Sequence, residues 1–447
     1  MEGIRPPRRA CFHTTRRCNV KLELHRITIS KLVFGARTGV SGGVLTVNKE
    51  ELTALLMQDE RLGGVEIDAA HPGENTRIMP VKDAIEPRCK LEGPGEVFPG
   101  WIGDVENAGE GKTLVLSGMA VLTTGRVVAP QEGIVDMTGP GADYTPFSKT
   151  CNLTISLSPV AEMEPHQCEA CFRRAGLRAA HYLAAACKGA TADKVETFDF
   201  PAFSEAMHAH PGLPKVAYIY MLQSQGLLHD TWVYGVDAKR ILPTMISPTE
   251  IMDGAIISGN CVSACDKNST YVHLNNPVIR SLYAHHGKEL NFVGVIITNE
   301  NVTLADKKRS SSYAVKLARM LGVEAVVISE EGFGNPDADL IMNCRKSEQA
   351  GIRTVLITDE FAGRDGSSQS LADSCPEGDA CVTAGNANEL IVLPPMAKVI
   401  GDLTPAETIA GGFFGSVRED GSLEVELQAI LGATNELGFN RIGGRTL

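Results

Sequence analysis

The 447-residue sequence predicts an α/β protein, with a β-rich amino-terminal domain before a carboxyl-terminal parallel-sheet domain. Before residue 210, short β-branched runs alternate with Gly, Pro and Asn, as in strands and hairpins. After it, near-continuous apolar runs alternate with helical stretches, as in parallel sheets covered on both faces. The length also exceeds that of one typical domain. We therefore expect a disordered basic extension over 1–20 and domains over 21–210 and 211–447.

The elements of the first domain follow from local patterns, taken in chain order. Alternating strands and hairpins are predicted from Lys21 to about residue 80, with one helix across 49–61. The Gly- and Pro-rich stretch 92–111 indicates a long surface connection. Residues 113–125 have the composition of a buried strand or strand pair, and 162–188 carry helical periodicity.

The second domain is predicted from four apolar runs, which lie at 215–225, 291–300, 324–332 and 353–360. Helical stretches separate the last three runs, which indicates a Rossmann-like parallel sheet. Ligands gather at the carboxyl ends of the strands in such sheets. We expect the polar ends of three runs to line a crevice rim there: Thr298-Asn299-Glu300, Ser329-Glu330-Glu331 and Thr358-Asp359-Glu360.

Charge and composition exclude several classes of function. The net charge of −12 argues against a nucleic-acid partner, because phosphate binding needs concentrated Lys and Arg. No apolar run is long enough to span a bilayer. Residues 1–20 are Arg-rich but lack the apolar core of a secretory signal. The 12 cysteines are therefore expected to be reduced thiols in a cytoplasmic protein.

Two motifs resemble ligand sites but favour structural interpretations. Gly332-x-Gly334 before Asn335-Pro336 lacks the third glycine of a dinucleotide fingerprint, so we interpret it as a helix start. Cys168-x2-Cys171, near His166 and His181, lies in a helical pattern, whereas structural zinc usually takes its first thiolates from a turn. We interpret these two thiols as buried packing groups.

The segment ISGNCVSACDKN (257–268) is the strongest candidate for chemistry. Gly259 precedes the Asn260-Cys261 bond and polar residues follow it, which places the bond in an irregular segment where strain can be held. The Cys261 sulfur could attack the Asn260 carbonyl to form a thioester. Loss of the Cys261 α-proton would then cut the chain and leave dehydroalanine, which water converts into a pyruvoyl group and ammonia.

Two alternatives remain open on the residues alone. Cys261-x3-Cys265 could bind a metal with His273, although the spacing departs from the usual thiolate pairs. Asn260 could instead cyclise to a succinimide and cut the chain without forming a cofactor. His229, Asp266 and His273 are candidates of similar weight for the group that assists processing at Cys261.

The same segment, with 215–244, 270–279, 291–302, 330–344 and 358–373, closely resembles the glycine/sarcosine/betaine reductase component B family. Segments 80–88 and 131–150 extend the resemblance into the first half. It implies cleavage between Asn260 and Cys261, with Cys261 becoming the pyruvoyl group and no metal. It also implies a reaction in which glycine forms a Schiff base with pyruvoyl and is reductively deaminated to acetyl phosphate and ammonia, using thioredoxin.

The resemblance further implies partners, because this chain has no selenocysteine. They are the selenoprotein gamma subunit of component B, the selenoprotein component A, and component C, which releases acetyl phosphate. Glycine is the expected substrate, and a sarcosine or betaine reductase subunit is the alternative. A third hypothesis is an uncleaved, non-catalytic scaffold for the selenoprotein subunit.

Overall fold

The structure is a computed structural model that describes residues 20–161, 163–226, 228, 231–259 and 263–438. Apart from Val20, the basic extension predicted over 1–20 lies outside the described residues. The predicted α/β class is confirmed, since helices accompany both parallel and antiparallel sheets. No helix in the described ranges combines the length and the apolar character needed to cross a bilayer.

The first half of the chain is rich in strands, as predicted. Its strands are β1 (Val20–Thr28), β2 (Lys31–Phe34), β3 (Gly39–Ser41), β4 (Val44–Val47), β5 (Leu62–Ala70), β6 (Thr76–Ile85), β7 (Arg88–Glu92), β8 (Gly111–Ser117), β9 (Met119–Thr124), β10 (Gly133–Asp136), β11 (Cys151–Pro159) and β12 (Lys194–Phe200). Its helices are α1 (Lys49–Leu56) and α2 (Pro165–Ala185). The two larger sheets have the orders β12-β1-β8-β7 and β10-β6-β9-β11-β5.

Two local predictions for this half need correction, and a third is confirmed. Helix α1 ends at Leu56 rather than Arg61, because Asp59 forms a turn in which its carboxylate accepts from the Arg61 backbone and guanidinium. The connection over 92–111 is not wholly on the surface, since Val97 and Phe98 are fully buried in the core. The prediction of a buried strand or strand pair over 113–125 is confirmed, since two largely buried strands, β8 and β9, lie there and belong to different sheets.

The second half contains the parallel sheet. Its strands are β13 (Lys215–Leu222), β14 (Trp232–Val233), β15 (Val236–Asp237), β16 (Thr244–Ile246), β17 (Ile256–Ile257), β18 (Asn291–Asn299), β19 (Ala325–Ser329), β20 (Arg353–Glu360), β21 (Cys381–Asn386), β22 (Leu390–Leu393), β23 (Lys398–Gly401) and β24 (Leu423–Glu426). Its helices are α3 (Phe203–Ala206), α4 (Pro248–Met252), α5 (Thr270–Leu274), α6 (Pro277–His285), α7 (Leu304–Met320) and α8 (Asn335–Gln349).

The four predicted apolar runs are adjacent strands of one sheet, with the order β16-β18-β13-β19-β20-β21. The neighbours from β18 to β21 are parallel, and β16 is an antiparallel edge strand. If the five parallel strands are numbered along the chain from β13 as 1 to β21 as 5, they lie in the doubly wound order 2-1-3-4-5. The switch point of this order lies between β13 and β19. This order predicts a ligand crevice beyond the ends of β13 and β19.

The two halves of the chain share sheets and cores. Strand β23 pairs in parallel with β6, and buried Arg77 on β6 donates to Asp136 and to the Pro394 carbonyl. Leu22 and Leu24 of β1 pack in the same apolar cluster as residues of β13 and β18. The predicted domain boundary near residue 210 stays a prediction.

Candidate functional site

A group of carboxyl side chains lies at the carboxyl ends of the parallel strands. Glu300 follows β18, Glu330 and Glu331 follow β19, and Asp359 lies near the end of β20. The sequence predicted these acids at the rim of a ligand crevice, but all four are at most 2% exposed. Asp266, from the segment after the predicted cut, and Glu436, near the carboxyl end, are buried with them and complete the acid cluster. The acid cluster is these six residues.

Hydrogen bonds connect the acid cluster to the segment that follows the predicted cleavage site. The Asn268 backbone N–H donates to Glu331 Oε1 at 2.9 Å, and its side-chain amide donates to Glu436 Oε1 at 2.7 Å. The Glu331 N–H donates to Glu300 Oε1 at 2.9 Å. The acids are therefore part of the packing that fixes the chain just beyond Cys261.

Burial raises the pKa of every carboxyl in the acid cluster, because ionised groups lose water there and repel one another. The pKa of Asp266 rises to about 7 and that of Glu331 to about 8, with loss of solvent as the main cause. The pKa values of Glu300, Glu330, Asp359 and Glu436 lie well above the usual range for the same reason. The carboxyl groups of the acid cluster therefore bind protons near neutral pH that ordinary carboxyl groups would have released.

The raised pKa values of these carboxyl groups predict that the free energy of unfolding depends on pH. The folded protein binds protons that the unfolded chain releases above about pH 4.5, so this contribution is present below that pH and is lost as pH rises through about 7 to 8. Between the unfolded and the folded pKa of such a carboxyl group, each pH unit lowers the free energy of unfolding by about 1.4 kcal/mol. Urea unfolding at pH 5 and pH 8 should show a smaller loss in Glu331→Gln than in the wild type, and equal losses would contradict the assignment.

The chain before the predicted cut is held by a clamp of buried polar groups. Asn260, Cys261 and Val262 lie outside the described residues, and the backbone is described up to Gly259 and again from Ser263. The Ser258 N–H donates to Thr270 Oγ1 at 3.1 Å, and the Ser258 carbonyl accepts from Arg173 Nε at 3.2 Å. The Ser258 hydroxyl donates to the Gly259 carbonyl at 3.0 Å. We call Arg173 and Thr270 the Ser258 clamp.

Both residues of the Ser258 clamp make further buried polar contacts. Asp83 on β6 accepts from both the Thr270 N–H and its hydroxyl, at 2.9 and 2.6 Å. Arg173 on α2 forms a buried ion pair with Glu169 one turn earlier. Arg173 and Thr270 were not predicted from the sequence. Their polar side chains were the only local signal, and their contacts with Ser258 and Asp83 span long stretches of chain.

The chain after the predicted cut is fixed as well. The Ala264 carbonyl accepts from the Gly432 N–H at 2.9 Å, and the Cys265 carbonyl from the Thr434 N–H at 3.2 Å. Lys267 Nζ donates to the backbone carbonyls of Lys82 and Gln131 at 3.2 and 3.0 Å. Segments on both sides of 260–262 are thus anchored to different parts of the fold.

Two cavities adjoin this segment. The larger, the glutamine cavity, has a volume of about 360 Å³ and lies at the predicted crevice; it is lined by Pro130, Gln131, Gln223, Gln225, Gly226, Ser263, Asp266, Gly332, Phe333, Asn335, Pro336 and Ala410. The smaller is lined by Lys82, Asp83, Thr123, Glu169, Phe172, Arg173, Ser258 and Gly259. Only the larger has room for a small molecule.

The three candidate assisting residues have different outcomes. His229 lies outside the described residues. His273 is fully buried, hydrogen-bonded through Nδ1 to the Tyr220 hydroxyl at 2.8 Å, and lines neither cavity. Burial lowers the pKa of His273 to about 3, so its imidazole is neutral. Asp266 lines the glutamine cavity, three residues from Ser263, with a pKa near neutrality.

The cysteine motifs are also placed by the structure. One ligand atom from each of Cys265, Asp266 and Asp359 lies within 4.8 Å of the other two, a spacing that a metal ion could bridge. His273 bonds to Tyr220 instead of joining this group. Cys168 and Cys171 lie on α2 inside the apolar core, as interpreted from the sequence, and Gly334 caps the start of α8.

Comparison with known proteins identifies the family. A family model described as glycine/sarcosine/betaine reductase component B subunits matches residues 20–445. The chain belongs to this family. It is 60% identical to glycine reductase complex component B subunits alpha and beta of Acetoanaerobium sticklandii, over 96% of this chain and all of that protein. The predicted resemblance is confirmed, and the chain is a component of a reductase complex.

Two further relatives span a wider range. The chain is 53% identical to sarcosine reductase complex component B subunit alpha of Peptoclostridium acidaminophilum, over 95% of this chain and all of that protein. It is 22% identical to the D-proline reductase proprotein PrdA of Acetoanaerobium sticklandii, over 75% of this chain and 54% of that protein. No solved structure matches the chain.

Proposed function

We propose that this chain is the proprotein of the pyruvoyl-containing, substrate-binding subunits of glycine reductase component B. In this proposal the chain cuts itself between Asn260 and Cys261, and Cys261 becomes the pyruvoyl group. The observation that carries the proposal is the anchoring of both flanks, Ser258 by its clamp and Ala264–Asn268 by later segments. Fixed flanks allow the fold to distort the bond between them.

The proposed processing conserves atoms without an external oxidant. The Cys261 thiol adds to the Asn260 carbonyl, and the peptide nitrogen leaves as an amine, giving a thioester. Loss of the Cys261 α-proton then breaks its carbon–sulfur bond, which leaves a thioacid on Asn260 and dehydroalanine at 261. Tautomerisation to the imine and addition of water release ammonia and leave a ketone.

We propose Asp266, among the described residues, as the group that accepts the Cys261 α-proton. It lies five positions beyond Cys261 in an anchored segment, and its pKa of about 7 leaves part of the population ionised at neutral pH. His273 is a weaker candidate because its imidazole is buried and bonded to Tyr220. His229 remains a candidate from the sequence.

The mature group would supply an electrophilic carbonyl, which accepts an amine and withdraws electrons from it. The residues present fit that role, because the glutamine cavity lies beside Ser263 and offers space for a small amine. In the proposed reaction, glycine and phosphate are converted into acetyl phosphate and ammonia, with two electrons from reduced thioredoxin, which becomes oxidised. The proposed partners are the selenoprotein gamma subunit, the selenoprotein component A and component C.

Denaturing mass spectrometry of protein from its native host tests the proposal. The expected result is two fragments, one ending at Asn260 and one beginning at 261 with a ketone in place of the amine and thiol. A single full-length chain with an intact cysteine would contradict it and favour the non-catalytic scaffold. Assays with reconstituted partners separate glycine from sarcosine and betaine; the higher identity to the glycine-named relative supports glycine.

A further inference from the structure

Helices α7 and α8 carry a concentration of positive charge in a chain that is acidic overall. Residues 307–323 contain five Lys or Arg side chains and no Asp or Glu, although acids outnumber these cations by 54 to 42 in the whole chain. The two helices pack side by side against the parallel sheet. A groove of about 590 Å³ lies between them, and its lining includes Lys316, Arg319, Met320 and Lys346 but no acid. We call it the basic groove.

The exposed cations of the basic groove are not neutralised by the rest of the fold. Two other cations of α7, Lys307 and Arg309, each form an ion pair with a carboxylate of the chain. Lys316 and Arg319 form no ion pair with any residue that the structure describes, and both are exposed. Their charges are therefore available to a carboxylate from outside the chain.

Lys346 of α8 adds a positive charge between the two helices. Its Nζ donates to the Lys308 carbonyl and to the hydroxyls of Ser311 and Ser312, at 2.7, 2.7 and 2.8 Å. These acceptors are neutral, so they hold the ammonium group in place without cancelling its charge. Burial and the neighbouring Lys308 cation lower the pKa of Lys346, as expected where like charges lie close together.

The basic groove also presents an apolar side chain to solvent. Met320, at the end of α7, is 67% exposed, and the adjoining Val315 lines the same groove. Flexible Met side chains are frequent on surfaces that bind other proteins. A concave groove that combines cations with an apolar side chain is complementary to a chain segment that carries carboxylates and an apolar residue.

We propose that the basic groove is a docking surface for an acidic segment of another protein of the reductase complex. Carboxylates of that segment pair with Lys316 and Arg319, and an apolar side chain of the segment packs on Met320. The family assignment makes the chain a component of such a complex. With a net charge of −12, the chain as a whole repels an acidic partner, so the basic groove determines where that partner can approach. The inference does not depend on cleavage at 260/261.

Zero-length crosslinking tests this docking surface in the complex isolated from its native host. A carbodiimide joins a lysine amine directly to a carboxylate that it contacts, and mass spectrometry of the linked peptides identifies both residues. The expected result is a link from Lys316 to an Asp or Glu of another protein of the complex. The yield of this link should fall at least fivefold at about 0.5 M salt, because salt screens exposed charges.

Charge reversal then measures what the basic groove contributes to assembly. Lys316→Glu/Arg319→Glu should slow association with the crosslinked protein at least tenfold at low salt, measured by surface plasmon resonance. Both side chains are exposed, so thermal unfolding should be unchanged. Lys188→Glu/Lys288→Glu is the matched control: it makes the same change in net charge at exposed positions outside the groove and should slow association less than twofold. Lys346 is left intact because it connects α7 to α8.

Several outcomes would overturn the inference. Links from Lys316 to peptides of this chain alone would assign the basic groove to a second copy, and a complex with no link from Lys316 to another protein would leave it without a partner. Equal slowing in the two charge variants would show an effect of net charge rather than of the groove. Phosphatidylglycerol vesicles that bind the wild type but not the groove variant, without protein crosslinks, would indicate a membrane surface instead. Cleavage at 260/261 is measured separately, so failure here leaves the proposed processing unaffected.

Discussion

A Cys261→Ala variant is expected to remain a single chain of full length. Without the thiol no thioester forms, and hydrolysis of an ordinary peptide bond is negligible on the timescale of expression and purification. The expected effect is complete loss of cleavage, measured by denaturing mass spectrometry after prolonged incubation. Cys381→Ala is the matched control, because Cys381 is exposed and distant in sequence, and it should be cut like the wild type.

Residual cutting would distinguish between mechanisms. If Cys261→Ala is still cut between 260 and 261, the thioester route is wrong and cyclisation of Asn260 becomes the better explanation. In that case Asn260→Ala should be intact while Cys261→Ala is cut. Circular dichroism of the uncut variant, unchanged from the wild type, would show that the loss reflects missing chemistry rather than misfolding.

Loss of the Ser258 clamp is expected to have the next largest effect. Arg173→Met removes the donor to the Ser258 carbonyl and breaks the ion pair with buried Glu169, and loss of one partner of a buried ion pair costs about 3–5 kcal/mol in comparable sites. The double variant Glu169→Gln/Arg173→Met also neutralises residue 169 but does not restore the donor to the Ser258 carbonyl. It should recover most of the stability in urea unfolding while cleavage stays at least tenfold slower than in the wild type.

Thr270→Val tests the other half of the clamp without introducing an unpaired charge next to α2. It removes the acceptor of the Ser258 N–H and the hydroxyl donor to Asp83, while the Thr270 N–H can still donate to Asp83. A buried donor left unpaired costs about 1–3 kcal/mol. If this cost is added to the activation free energy of cleavage, the cleavage rate drops about 5- to 150-fold. Gel analysis of samples taken over time would measure the rate. Cleavage at the wild-type rate in both clamp variants would show that the flanks do not control the bond.

The sequence predicted the parallel sheet and the acids that follow its strands, because apolar runs and the residues ending them are local features. Burial of these acids could not be predicted, since residues buried with them, such as Glu436, lie more than 70 residues beyond Asp359 along the chain. The Ser258 clamp could not be predicted for a similar reason, because Arg173 and the Ser258 carbonyl that it binds are 85 positions apart in the chain. His273 looked like a candidate base because its bond to Tyr220 on β13 is invisible from sequence alone.

The position of β13 has a consequence for the processed protein. A cut at 260/261 would leave β13 on the first polypeptide, while β18 and β19, which flank it on either side, would belong to the second. Neither product could complete the sheet alone, so the two would share one hydrophobic core and could separate only by unfolding. Synthesis as one precursor would then guarantee equal amounts of both halves and let the sheet form before it is divided.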